Sequence, residues 1–420
     1  VEDEHLSLDL LAKLLSGGME HEVLLGQVVP HFLARCPVCR ERHQEILRLQ
    51  EEMGHWNEEV AVLESREAPG LWARLAAQPY AEQVRRVEED EGLHAWGLCQ
   101  LLLTKSREAV FDHPALAVDL ANLAVKVTAH LGEAYDPAWV LDLKARAFAY
   151  LGNALRVLGE LRSAEEAFQK AEKCLAQSGT GNARIEAEVL DLQSSLRRAQ
   201  RRLEESLELV DRALLLHRES NDSHRIGKAL LKKAKVLEEM GDLDEAINLL
   251  RHSEIDPAIE PRLFAYSCCN LGVCLTLAGR YEEAELLLPE IRELLRDAAQ
   301  PVDLVRLRWI EGNIHLGLGR IGPAEASFRE VQREFLARQM GYDAALVSLD
   351  LAALYAQEDC HEDLKRLAAE LMPIFEARDI PREALGTLLL FQRACEEELM
   401  TVALARELSE YLRRERRTGG

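Results

Sequence analysis

A helix-pair register recurs along most of this chain with a period close to forty residues. Aligning on a small or apolar residue that follows a turn and a pair of charged residues gives Ala164, Ser206, Ala246, Ala284, Ala324, Leu364 and Leu404. The successive gaps are 42, 40, 38, 40, 40 and 40 residues. Twelve positions upstream lie Gly152, Ser194, Ala234, Gly272, Gly312, Ala352 and Gln392, nearly all of them small. Two small residues at a fixed offset let two helices cross closely. Apolar residues four positions after the second small residue (Phe168, Val210, Leu250, Leu288, Phe328, Ala368, Leu408) are expected to face the next repeat. A unit of this size cannot bury its apolar face alone, so such units fold as a stack. Glycine recurs between the two helices, at Gly159, Gly241, Gly279 and Gly319, where a left-handed turn is cheap for it.

The cadence resembles the tetratricopeptide repeat, carried by segments such as Gly241-Asp242-Leu243-Asp244-Glu245-Ala246 and Gly279-Arg280-Tyr281-Glu282-Glu283-Ala284. With a period nearer forty than thirty-four, it is similar to the extended repeats of bacterial peptide-sensing regulators. The resemblance implies an all-α fold: a right-handed superhelical solenoid over residues 106–416, closed by a polar C-terminal helix. Composition agrees. Leu, Ala, Glu and Arg dominate, aromatics are 5%, and Val and Ile alternate too rarely for a buried sheet.

The resemblance also points to a groove lined by the first helix of each pair. Carrying over its lining positions selects Arg146, Asn153 and Arg156 in one repeat, Lys228 and Lys235 in another, Tyr266 and Thr276 in a third, and Arg306, Trp309 and Asn313 in a fourth. Asn153, Arg156, Arg306, Trp309 and Asn313 are the candidate partner-binding residues. An amide donates and accepts at once, which suits an extended peptide backbone.

Residues 1–50 do not follow the cadence. The run Pro30-His31-Phe32-Leu33-Ala34-Arg35-Cys36-Pro37-Val38-Cys39 places two thiols in a compact turn after a histidine. Thiolates and imidazoles suit tetrahedral Zn²⁺, and His5 is the candidate fourth ligand, with His21 its competitor. The segment resembles the zinc-binding anti-sigma-factor fold, although four residues rather than three separate His31 from Cys36. That resemblance implies a small helical domain holding a structural zinc and contacting a sigma factor. Residues 51–105 read as a helical connector in which Trp56, Trp72 and Trp96 are packing anchors.

The charge balance is 51 Lys+Arg against 73 Asp+Glu, a formal −22, which disfavours direct binding to nucleic acid or anionic membranes. Nine cysteines, mostly inside apolar helical patterns, suit reduced thiols in a cytoplasm rather than a disulfide framework. No apolar run approaches the ~20 residues that span a bilayer. Phosphate-binding glycine loops, zinc-protease helices and nucleophile elbows are missing from the sequence, and Gly179-Thr180-Gly181-Asn182 lacks the preceding strand of a nucleotide fingerprint. The expectation is a non-catalytic interaction scaffold that binds a peptide or protein, and through its N-terminal domain a sigma factor. A pure adaptor, or a regulatory subunit of an enzyme on another chain, is the alternative.

Overall fold

The computed structural model describes residues 64–419, apart from 133–134, 221, 299–300, 339 and 377–381. Within these residues every regular element is a helix. After a helical run over 64–76 come α1 (Tyr80–Glu89), a short 3₁₀ turn (Glu91–Leu93), α2 (Trp96–Ala109), α3 (Pro114–His130), α4 (Pro137–Val157), α5 (Leu161–Ser178) and α6 (Ala183–Ala199). Then follow α7 (Leu203–Glu219), α8 (Ser223–Met240), α9 (Leu243–Arg251), α10 (Pro261–Leu277), α11 (Tyr281–Ala298) and α12 (Pro301–Gly317). The last are α13 (Ile321–Ala337), α14 (Gly341–Gln357), α15 (His361–Glu376), α16 (Arg382–Glu396) and α17 (Val402–Gly419). Pro114, Pro137, Pro261 and Pro301 each open a helix, where a missing N–H costs nothing.

The chain divides into two compact units: 1–155 with 162–192, and 156–161 with 193–420. In the first, α2 and α3 build a core around Leu98, Leu102, Leu103, Leu123, Ala124 and Val127, joined by Leu75, Val87 and Leu143. Trp72 and Trp96 pack half-buried against this core, and the Lys105 ammonium lies 5.5 Å from the Trp72 ring centre. Gly97 admits the start of the 64–76 helix. A Cβ there would lie 2.4 Å from the Glu64 backbone, and the Gly97 N–H donates to Glu64 Oε2 at 3.0 Å. Thr180 Oγ1 donates to Asp142 Oδ2 at 2.8 Å, which ties the 179–182 loop back to α4.

In the second unit, from α7 onward, each helix packs on its sequence neighbours, and α10 also touches α8 and α12, the first helices of the pairs on either side. The turns between paired helices use one conformation. Gly159, Gly241, Gly279 and Gly319 have φ of 91°, 90°, 72° and 70°. Arg201 (φ 62°) and Asp359 (φ 55°) fill the same register without glycine, so the tertiary fold imposes the turn even where the local sequence resists it.

The small-residue offset separates into two kinds. Phe168 and Phe328 are fully buried, and their rings lie against Gly152 and Gly312 of their own pair. A Cβ at Gly152 would approach Phe168 to 2.7 Å, and one at Gly312 would approach Phe328 to 2.6 Å. The rings fill the glycine notches of their own pair, and Phe328 also belongs to the core that holds Ala344, Ala345 and Leu349 of the next pair. At Gly272, whose counterpart is Leu288, a Cβ would find its nearest atoms at 3.7 Å, an ordinary contact.

Candidate functional site

The α8, α10, α12 and α14 helices line a groove of about 710 Å³ in the second unit. The sequence register explains its lining. Relative to the small residue of each first helix (Ala234, Gly272, Gly312, Ala352), six positions upstream stand Tyr266, Arg306 and Leu346, and three upstream stand Leu231, Cys269 and Trp309. One position downstream stand Lys235, Val273 and Asn313, and four downstream Glu238 and Thr276. Spacings of three and four residues trace one helix face, so the repeat itself aligns the faces into a continuous wall.

Trp309 is fixed in place. Its Nε1–H donates to Asp350 Oδ2 at 2.6 Å, and its ring meets Phe335 edge-on at 5.9 Å between centres. With its N–H engaged, the indole offers the groove an apolar surface. The Asn313 Nδ2 donates to the Trp309 carbonyl at 3.0 Å, which orients the amide of its own helix. Asn270 lies on the wall midway between Tyr266 and Val273, and among the described residues its side-chain amide makes no hydrogen bond. Cys269 is a neutral, unreactive part of the wall: burial, then the neighbouring Cys268, pushes its thiol up to about 12.

The charged groups of the groove are arranged unequally. Lys235 Nζ reaches both Glu238 carboxylate oxygens, at 2.6 and 2.8 Å. The Tyr266 hydroxyl donates to Asp303 Oδ2 at 3.1 Å and accepts from Arg262 Nε at 3.1 Å. Arg306 stands 3.9 Å from Asp303 Oδ1, beyond hydrogen-bond range. The cations are the exposed members: the Arg306 side chain is 51% exposed against 7% for Asp303, and Lys235 is 35% exposed against 13% for Glu238.

The structure thus brings Arg306, Trp309 and Asn313 together with Lys235, Tyr266 and Thr276, and leaves Asn153 and Arg156 outside this lining. Asn153 and Arg156 are buried, at 9% and 7% exposure. Burial, then the Arg198 guanidinium, lowers Arg156 to about 10. Arg146 is committed to the interior of the first unit: its Nε donates to Glu188 Oε2 at 3.0 Å and its Nη1 to Gln100 Oε1 at 2.9 Å. Lys228 is exposed and does not line the groove. Asn270, Ile310 and Leu346 were missed in the sequence reading. Leu346 was legible, since it repeats the register of Tyr266 and Arg306, but an apolar residue there reads as core.

His5, His31, Cys36 and Cys39 lie outside the described residues, as do His21 and Trp56. Among the described residues no group of three or more His, Cys, Asp or Glu side chains could hold a metal, and the cysteines are free thiols.

Residues 185–254 match the tetratricopeptide repeat family. They cover α6 to α9, the stretch that leads into the groove. No curated protein matches the chain. Among solved structures, a Rap protein complexed with competence and sporulation factor is similar at 14% identity, over 76% of this chain and 87% of that one, with a TM-score of 0.54. Aspartyl phosphate phosphatase F from Bacillus subtilis is similar at 13% identity, over 82% and 90%, with a TM-score of 0.53. A signal transduction ATPase with numerous domains from Pyrococcus horikoshii, which carries a tetratricopeptide repeat sensor, is similar at 16% identity, over 76% and 54%, with a TM-score of 0.50. At these identities the likeness is one of fold: the chain is an all-α, tetratricopeptide-like solenoid. No helix among the described residues is long and apolar enough to cross a membrane.

Proposed function

We propose that this protein is a non-catalytic, cytoplasmic interaction scaffold whose groove between α8 and α14 holds an extended segment of a peptide or protein partner. The observation that carries this reading is the wall itself: a fixed tryptophan and aliphatic side chains flank two amides, Asn270 and Asn313, that retain hydrogen-bonding capacity toward the groove. An extended peptide needs main-chain partners at intervals and apolar room for alternate side chains. The similar Rap protein was solved complexed with competence and sporulation factor, which is consistent with the same use of the fold.

The test is binding of peptides selected from a displayed library on the purified protein, followed by calorimetric titration. Asn270→Ala with Asn313→Ala should weaken the selected peptides about tenfold, since two main-chain partners are lost, and should leave the melting temperature unchanged. Leu286→Asp, on an exposed α11 residue outside the groove, should bind as the native protein does. Equal affinity in the double variant would remove the groove from the interaction. Trp309→Ala is the poorer probe, because it also breaks the Asp350 hydrogen bond and the Phe335 contact.

For the N-terminal segment the proposal remains a structural Zn²⁺ on His31, Cys36, Cys39 and His5, in a domain that engages a sigma factor. Its support is ligand chemistry and spacing. Elemental analysis should find equimolar zinc in protein purified without chelator and none after Cys36→Ser with Cys39→Ser. Metal-free native protein would end it.

A further inference from the structure

The groove is formally acidic yet presents positive charge. Its lining carries Glu238, Asp303 and Asp343 against Lys235 and Arg306. The acids are withdrawn: Asp303 and Asp343 are buried, and the Glu238 side chain is 13% exposed. Lys235 is already neutralised by both Glu238 oxygens. Arg306 is different. Its guanidinium is half exposed, and its closest carboxylate oxygen, on Asp303, lies 3.9 Å away while that residue's other oxygen accepts from Tyr266. It stands on the third of four lining helices, in register with Tyr266 on one side and Leu346 on the other, so it lies inside the groove and not at its end.

We propose, resting on the peptide-binding reading above, that Arg306 selects an aspartate or glutamate side chain within the bound segment, flanked by apolar residues that seat on Trp309 and Leu346. A planar guanidinium with free donors matches a carboxylate in bidentate geometry, and the partly apolar surroundings strengthen that pairing. A peptide's terminal carboxylate fits less well, because with its end at Arg306 the segment would leave lining on one side of the residue uncovered. In a chain of net charge −22, one exposed cation at the centre of a groove also sets the register of the segment.

Four helices at roughly 9 Å spacing span about 27 Å, which about eight extended residues cover. The probe is therefore a positional-scanning library of peptides of about that length, acetylated and amidated at their ends, retained on the immobilised full chain. The native protein should enrich Asp or Glu over Asn or Gln about tenfold at one interior position. Arg306→Gln should erase that preference while the apolar preferences beside it persist, and Arg306→Glu should turn it toward Lys or Arg. Because Arg306 is exposed and loosely paired, Arg306→Gln should melt as the native protein does, while Arg306→Glu, which sets a second carboxylate beside Asp303, should melt slightly lower. Retained peptides without an acidic preference, or a preference that survives Arg306→Gln, would overturn the assignment while leaving the groove a peptide site. If retention occurs only with free C-termini, the carboxylate recognised is the terminal one and the proposal is wrong. No retained peptide at all would overturn the peptide-binding reading itself, and this inference with it.

Discussion

Phe168 and Phe328 occupy the notches left by Gly152 and Gly312, and the pairing is written in the sequence as glycine followed sixteen residues later by phenylalanine. Where leucine stands at the second position, at Leu288, the notch at Gly272 retains room for a methyl group. The two glycines should therefore respond in opposite directions. Gly312→Ala drives a Cβ into a fully buried ring that cannot retreat, and should cost about 1–3 kcal/mol. Gly272→Ala meets only ordinary contacts and gains helix propensity, so it should be neutral or stabilising by up to about 1 kcal/mol. Urea unfolding of the two variants checks both signs, and equal losses would show that the glycines are equivalent. The sequence revealed which residues share the register. It did not reveal that the ring fills the glycine notch of its own pair, because which side chain meets which is fixed only once both helices are placed.

At the scale of elements, α4 shows how a groove position becomes core. Arg146 holds the same register as Tyr266 and Arg306, yet its partner is Glu188 of α6, which also accepts from the Tyr150 hydroxyl at 2.6 Å. Both charges are largely withdrawn from water, with side chains 19% and 10% exposed. Arg146→Ala takes one cation from the largely buried Glu188 carboxylate and should destabilise the first unit, as breaking one side of a buried ion pair does. Arg146→Met with Glu188→Leu should recover much of that loss, because it removes both desolvated charges. A double variant as unstable as the single one would show that the pair contributes shape and not charge balance. The same cluster predicts an alkaline weakness. Burial, then the Glu188 carboxylate, raises the Tyr150 hydroxyl from 10 to about 12. The folded state thus favours the protonated phenol, and this contribution is complete below pH 10 and is lost as pH rises toward 12. Denaturation midpoints followed across that range should fall less steeply for Tyr150→Phe than for the native protein; identical slopes would remove Tyr150 as a cause.

For the whole molecule, an all-helical stack predicts a far-UV circular dichroism spectrum with the double minimum of α-helix, and a substantial strand signal would contradict it. A groove built from four successive helices also makes binding a property of several repeats at once. Opposite effects are expected from variants that leave the wall in place, such as Leu286→Asp, and variants that remove its amides, such as Asn270→Ala with Asn313→Ala. The first should retain full affinity and the second should bind about tenfold more weakly, with melting unchanged in both.

The sequence by itself determined the class of fold, the forty-residue register, the glycine turns and the helix face that lines the groove. These are local or periodic properties, set by which side chains recur every three or four residues and by which backbone conformations glycine allows. It also placed Arg306, Trp309 and Asn313 on one wall, because they share a single helix. Only the tertiary structure decided which groove positions remain open. Arg146 and Asp303 are equally polar in sequence, and whether each meets a ligand or a neighbour depends on what the next helix presents: Glu188 to the first, Tyr266 to the second. Arg306 remains exposed for the complementary reason that Asp303 already accepts from Tyr266 and Leu346, its counterpart on the next helix, has no charge to offer. The partners of a charge lie some forty residues away in the chain, so its availability is settled by packing, not by its own position in the repeat.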